Sequence, residues 1–139
     1  MKKAIIIYQS KKGTTQQLGS TINQYLKRKG ISTEIKSAEK ITEKNLSSFD
    51  YIFLGCWTKG LMIIAQHPDK SWEKCIKSLE IPAKSKIFLF ATYKIAIGSM
   101  FSKMRKKLPP QNQTSLLNIK SRNGNLPGEY PFLLDQYIN

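Results

Sequence analysis

Ala4-Ile5-Ile6-Ile7-Tyr8-Gln9-Ser10-Lys11-Lys12-Gly13-Thr14-Thr15 runs from an apolar stretch through a polar, hydroxyl-bearing loop to the start of a helical pattern. Ala4 to Tyr8 is continuously apolar rather than alternating, and rich in β-branched residues. That is the pattern of a strand buried on both faces. Downstream, between Thr15 and Lys29, Leu18, Ile22, Tyr25 and Leu26 recur at helical spacing, and Gly30 stands where a helix stop belongs. A doubly buried strand that leads directly into a helix is the opening of a β-α-β unit, and such units build parallel sheets.

The rest of the chain repeats the alternation. Ile31 to Lys36 alternates Ile31, Thr33 and Ile35, which suits a sheet edge. Ala38 to Ser47 reads as loop and short helix. Tyr51 to Gly55 and Lys86 to Ala91 read as further buried strands, and Leu116 to Lys120 as the last. Asp69 to Leu79 reads as a helix with Trp72, Cys75, Ile76 and Leu79 on its core face. Ser99 to Leu108 reads as another, ended by Pro109-Pro110, and Pro131 to Tyr137 as a short final one. This order predicts an α/β fold: a three-layer, doubly wound, five-stranded parallel sheet of order 2-1-3-4-5, in a single domain over residues 1–139.

Composition narrows the function classes. Lys and Arg number 23 against 9 Asp and Glu, a formal charge of +14 that favours anionic ligands or surfaces. The basic residues are dispersed rather than interleaved with aromatics, and no nucleic-acid motif is present. Cys56 and Cys75 form no CxxC and have no histidine array beside them, which speaks against a zinc site or disulfide framework. The sole histidine, His67, lacks the partners of a nucleophile–base constellation. No apolar run approaches membrane-span length, and the run after Met1-Lys2-Lys3 is too short for a signal peptide. A cytoplasmic protein is expected.

In open parallel sheets, ligands bind beyond the carboxyl ends of the strands, where strand order reverses. Three loops meet there. In Ser10-Lys11-Lys12-Gly13-Thr14-Thr15, the hydroxyls of Ser10, Thr14 and Thr15 can donate to a phosphate. The helix start adds free N–H groups and a favourable field. Gly13 permits close approach or an unusual dihedral angle. The GxxxxGK[ST] spacing of nucleoside triphosphate hydrolases is absent. The second loop is Gly55-Cys56-Trp57-Thr58-Lys59-Gly60, where Trp57 offers a planar face for stacking. The third, Ala91 to Gly98, contains Thr92, Tyr93 and Lys94. The residues alone specify an anion or cofactor site at a switch point.

Tyr8 to Thr15 resembles the phosphate loop of flavodoxins, commonly Ser/Thr-x-Thr-Gly-x-Thr, matching at Ser10, Gly13 and Thr15 and departing at Lys12. The second loop, with Trp57 followed by Lys59-Gly60, is similar to the glycine-flanked loop of short flavodoxin-like proteins. This resemblance implies flavin mononucleotide (FMN) as cofactor. Its phosphate would lie on the first loop. Its ring would lie between Trp57 and Tyr93, near Cys56, Thr58, Lys59, Gly60, Thr92 and Lys94. The resemblance implies an electron carrier serving a partner redox enzyme, and the basic charge implies that this partner presents acidic surface. Two alternatives stand beside it. One is an FMN-dependent reductase or oxidase of the quinone or protoporphyrinogen type. The other is a flavodoxin-fold interaction module that has lost FMN.

Overall fold

The computed structural model describes residues 1–61, 64–113 and 115–138, with backbone alone over 60–61 and 64–65. Five strands, β1 (Lys3–Gln9), β2 (Ser32–Ser37), β3 (Tyr51–Trp57), β6 (Lys86–Thr92) and β7 (Asn118–Ser121), form one parallel sheet. Its order is β2-β1-β3-β6-β7, which is 2-1-3-4-5 counted within the sheet. The expected fold class is therefore correct. Between β3 and the helix after it lies a feature beyond the five expected strands: a two-stranded antiparallel ribbon, β4 (Lys59–Leu61) and β5 (Ile64–His67).

Parity along β1 shows why its apolar run is unbroken. Ala4 and Ile6 pack with Leu18, Ile22 and Leu26 of α1 (Thr14–Arg28) and with Tyr130 and Leu134 of α4 (Glu129–Leu134). Ile5 and Ile7 face the opposite layer. There they meet Trp72, Cys75 and Ile76 of α2 (Lys70–Ser78) and Met100 and Met104 of α3 (Met100–Lys106). Each fully buried side chain of this kind stabilises the fold by about 1.5–3 kcal/mol. The second layer is only partly helical. The expected short helix within Ala38 to Ser47 does not form; the segment is turn and coil. Ala38, Ile41, Leu46 and Phe49 nevertheless point inward and fill the place a helix would take. Their spacing of three, five and three residues fits no single helical face.

The C-terminal helix begins two residues earlier than expected. Pro131 falls within its first turn, where a missing N–H does little harm. It is tied to α1 through Asp135, which accepts a short hydrogen bond from the Tyr25 hydroxyl and pairs with Lys29 Nζ at 2.8 Å. Lys29, then Tyr25, hold the Asp135 carboxyl below its ordinary value of 3.8. A carboxylate lowered on folding adds stability that is fully present above its unfolded value and is lost as pH falls through the folded one. Amide protection in α4 is therefore expected to fall in acid before that of the central sheet. Asp135→Asn should remove this acid step, and hydrogen exchange measured across the acid range checks both points.

Candidate functional site

The carboxyl ends of β1, β3 and β6 open into a cleft of about 370 Å³, within the span of roughly 300–1,000 Å³ typical of small-molecule sites. One end is the loop between β1 and α1. Gly13 is the residue before the helix and has φ of 92°, the left-handed region. Its N–H donates to Ser10 Oγ at 3.0 Å. A methyl group there would meet nothing within 4 Å, so glycine is required by conformation rather than by space. No side chain caps the first turn of α1, which leaves its amides directed toward the loop without a side-chain acceptor. Thr15 Oγ1 lies 2.6 Å from Thr92 Oγ1, a buried contact that fastens the first loop to the end of β6.

The other end is built by the ends of β3 and β6. Their apolar patterns stop at Gly55 and Ala91, yet pairing continues to Trp57 opposite Thr92. Cys56 and Trp57 are thus strand residues rather than loop residues. Trp57 is half-buried with Lys11 Nζ 4.9 Å from its ring centroid, and Tyr93 lies beneath Arg122 at 5.4 Å. The Thr58 N–H donates to the Thr92 carbonyl at 2.8 Å. Thr58 Oγ1 is buried with no hydrogen-bond partner. A buried hydroxyl left unpaired in a cleft costs about 1–3 kcal/mol, which a ligand's polar atom can recover.

Ser10, Lys11, Lys12, Thr14, Thr15, Trp57, Thr58, Lys59, Thr92, Tyr93 and Lys94 all line this cleft, and Gly60 follows Lys59 in β4. Gly13 shapes the loop through its backbone. Cys56 faces the core instead: its Sγ accepts from the Asp69 N–H at 3.3 Å, and burial pushes the thiol up to about 12. It is a packed thiol and not a nucleophile. His67 is partly buried, with Nδ1 3.0 Å from the Pro68 carbonyl oxygen.

Sequence reasoning missed Gln66, Ile95, Ala96 and Arg122, which also line the cleft. Gln66 arrives on the ribbon, whose one sequence signal was the apolar run Leu61 to Ala65. The ribbon is anchored beside the third loop by Lys103 Nζ, which donates to the Gln66 carbonyl at 2.7 Å.

Electrostatically the cleft has one sign. Lys11, Lys12, Lys59, Lys94 and Arg122 line it, and no carboxylate does so among the described residues. Lys12 lies against Lys94 and, with some desolvation and the charge of Lys11, pushes the Lys94 ammonium below the ordinary lysine range. Such like-charge crowding is relieved by an anion. No group of three or more His, Cys, Asp or Glu side chains able to hold a metal ion occurs among the described residues. No helix among them is long and apolar enough to cross a membrane.

The profile of a family described as "Flavodoxin domain" matches residues 5–117. A search of curated proteins finds no match to the sequence. Among solved structures, oxidised flavodoxin 1 from Bacillus cereus superposes with a TM-score of 0.73 at 16% identity, covering 99% of each chain. The two-electron reduced flavodoxin of Megasphaera elsdenii gives 0.72 at 22% identity, over 94% of this chain and 92% of that one. A flavodoxin from the domain Archaea gives 0.65 at 18% identity, over 96% and 90% respectively. These structures share the fold.

Proposed function

Because this chain belongs to the flavodoxin domain family by its match over residues 5–117, we propose that it holds FMN in the cleft and carries electrons for a partner redox enzyme, as one domain over residues 1–139. The observation that carries this reading is the composition of one cleft. A glycine-turned hydroxyl loop opens the uncapped α1 at one end, and Trp57, Tyr93 and the unpaired Thr58 hydroxyl stand at the other. These residues fit a molecule with a terminal dianion, a polar chain and a flat ring.

When bound, FMN supplies reversible electron transfer. The chain supplies the rest. Ser10, Thr14, Thr15 and the first-turn amides of α1 would hold the phosphate, with Lys11 and Lys12 balancing its charge. Trp57 and Tyr93 would flank the ring and exclude water from its faces. The hydroxyl of Thr58, with Lys59 and Gly60, would border the ring edge. Lys59 and Lys94 make the mouth of the cleft positive, so the electron partner should present acidic surface, and association should weaken as salt rises.

Titration of the purified protein with FMN tests this. Saturable quenching of flavin fluorescence and a yellow complex are expected. A colourless protein with no affinity for added FMN would favour the interaction module instead.

One observation favours a second reading. The β4–β5 ribbon adds a wall to the cleft through Lys59 and Gln66, as an FMN-dependent reductase needs for a small substrate. Steady-state turnover with NAD(P)H and quinones separates this reading from a carrier, which would turn over only through its protein partner.

A further inference from the structure

Arg122 directly follows β7, at the start of the short segment Arg122-Asn123-Gly124-Asn125. Its guanidinium lies over the Tyr93 ring, with Cζ 5.4 Å from the centroid, and donates to the Ile95 carbonyl at 3.2 Å. The Tyr93 N–H is itself held by the Ser121 carbonyl at 3.2 Å. The third loop is therefore gripped at ring and backbone by two adjacent residues.

The turn that carries Arg122 is fixed in its own right. The Ser121 hydroxyl donates to the Asn125 carbonyl at 2.7 Å and accepts from the Gly124 N–H at 3.1 Å. Gln17 of α1 donates to Asn125 Oδ1 at 3.1 Å. At Gly124 a methyl group would come within 3.0 Å of Gln17 Cβ and the Thr14 carbonyl oxygen, so backbone and helix are in close contact. The first turns of α1 and the wall bearing Tyr93 are thereby joined through one short turn.

We infer that Arg122 is a positioning residue, which sets the plane of Tyr93 and the path of Tyr93–Ile95 for the cofactor ring. This rests on the FMN reading above. The flat guanidinium can lie on a ring and donate sideways at once, whereas a lysine ammonium carries the same charge without that shape. The lysine variant therefore separates geometry from charge.

The test compares the full-length wild type with Arg122→Gln and Arg122→Lys. FMN affinity is read by fluorescence quenching and the ring environment by visible circular dichroism. Inorganic phosphate serves as competitor. Both variants should bind FMN about three- to fivefold more weakly. Both should shift the visible dichroism, and phosphate should compete as strongly in Arg122→Lys, which keeps the charge, as in the wild type. In the absence of FMN, nuclear magnetic resonance should show the Tyr93 ring and Ile95 signals displaced in both variants, with the melting temperature unchanged. Wild-type affinity and dichroism in Arg122→Gln would overturn this inference alone, as would full recovery in Arg122→Lys. A wild type that takes up no FMN would overturn the underlying reading, and this inference with it.

Discussion

Gly55→Ala is expected to destabilise the protein by about 3 kcal/mol, at the upper end of overpacking effects in well-packed cores. The added methyl would stand 2.0 Å from Cε2, 2.2 Å from Cζ and 2.4 Å from Cδ2 of Phe90. Gly55 and Phe90 are direct partners between β3 and β6, and the Phe90 ring occupies the space that the glycine leaves. The ring has no room to retreat: it is wholly buried, and Gly19 of α1 approaches it from the helix layer, where a methyl would already be 3.6 Å from Cζ. Denaturant titration should show an earlier midpoint for Gly55→Ala. Adding Phe90→Leu, which frees space over the strand, should return part of the loss. An unchanged midpoint in the single variant would mean that the ring rearranges freely. Because Trp57 and Thr92 end the same two strands, the variant should also bind FMN more weakly than its stability alone explains.

The second large effect is electrical. Bound FMN is expected to accept its second electron at a less negative potential than in acidic flavodoxins, because Lys59 and Lys94 line the cleft where negative charge would accumulate. Lys59→Gln and Lys94→Gln should each make that potential more negative by on the order of tens of millivolts, with a smaller change at high salt. Spectroelectrochemical titration measures it, and a wild-type value as low as that of acidic flavodoxins would reject this expectation. Lys94 adds a pH signature. Its folded-state value lies below 10.5 because Lys12 crowds it. Between the lowered and the ordinary value the unfolded chain binds more protons, so in this window the stability of the FMN-free protein rises with pH. Lys94→Gln should flatten that rise. A bound dianion favours the charged ammonium, so FMN binding in the same window should take up protons.

The parallel sheet was legible because burial on both faces leaves an unmistakable mark: Ala4 to Tyr8, Tyr51 to Gly55 and Lys86 to Ala91 are continuous apolar runs. The first loop was legible for a related reason. A hydroxyl cluster and a glycine between such a strand and a helix have few structural uses. The ends of β3 and β6 were not legible, since the strands are extended by pairing across the sheet, Cys56 with Ala91 and Trp57 with Thr92, rather than by any local pattern. Gln66 and Arg122 escaped notice because they reach the cleft through tertiary contacts: one along a ribbon pinned by Lys103, the other across the ring of Tyr93. Ile41, Leu46 and Phe49 lie in or beside a stretch that reads as loop and short helix, and irregular spacing gave no hint that coil would complete the layer begun by α2 and α3 on that side of the sheet.

That coil bears on the order of assembly. A helix in the same position would have local hydrogen bonds with which to start forming by itself. Apart from short local turns at Ser37–Ile41 and Leu46–Phe49, this stretch borrows its backbone partners from afar: Ala38 from Tyr8, Leu46 from Glu80, and Glu80 in return from Lys44. It has nothing to settle against until strands from both halves of the chain have come together, so it should be a late arrival on the folding route, closing over a surface already made.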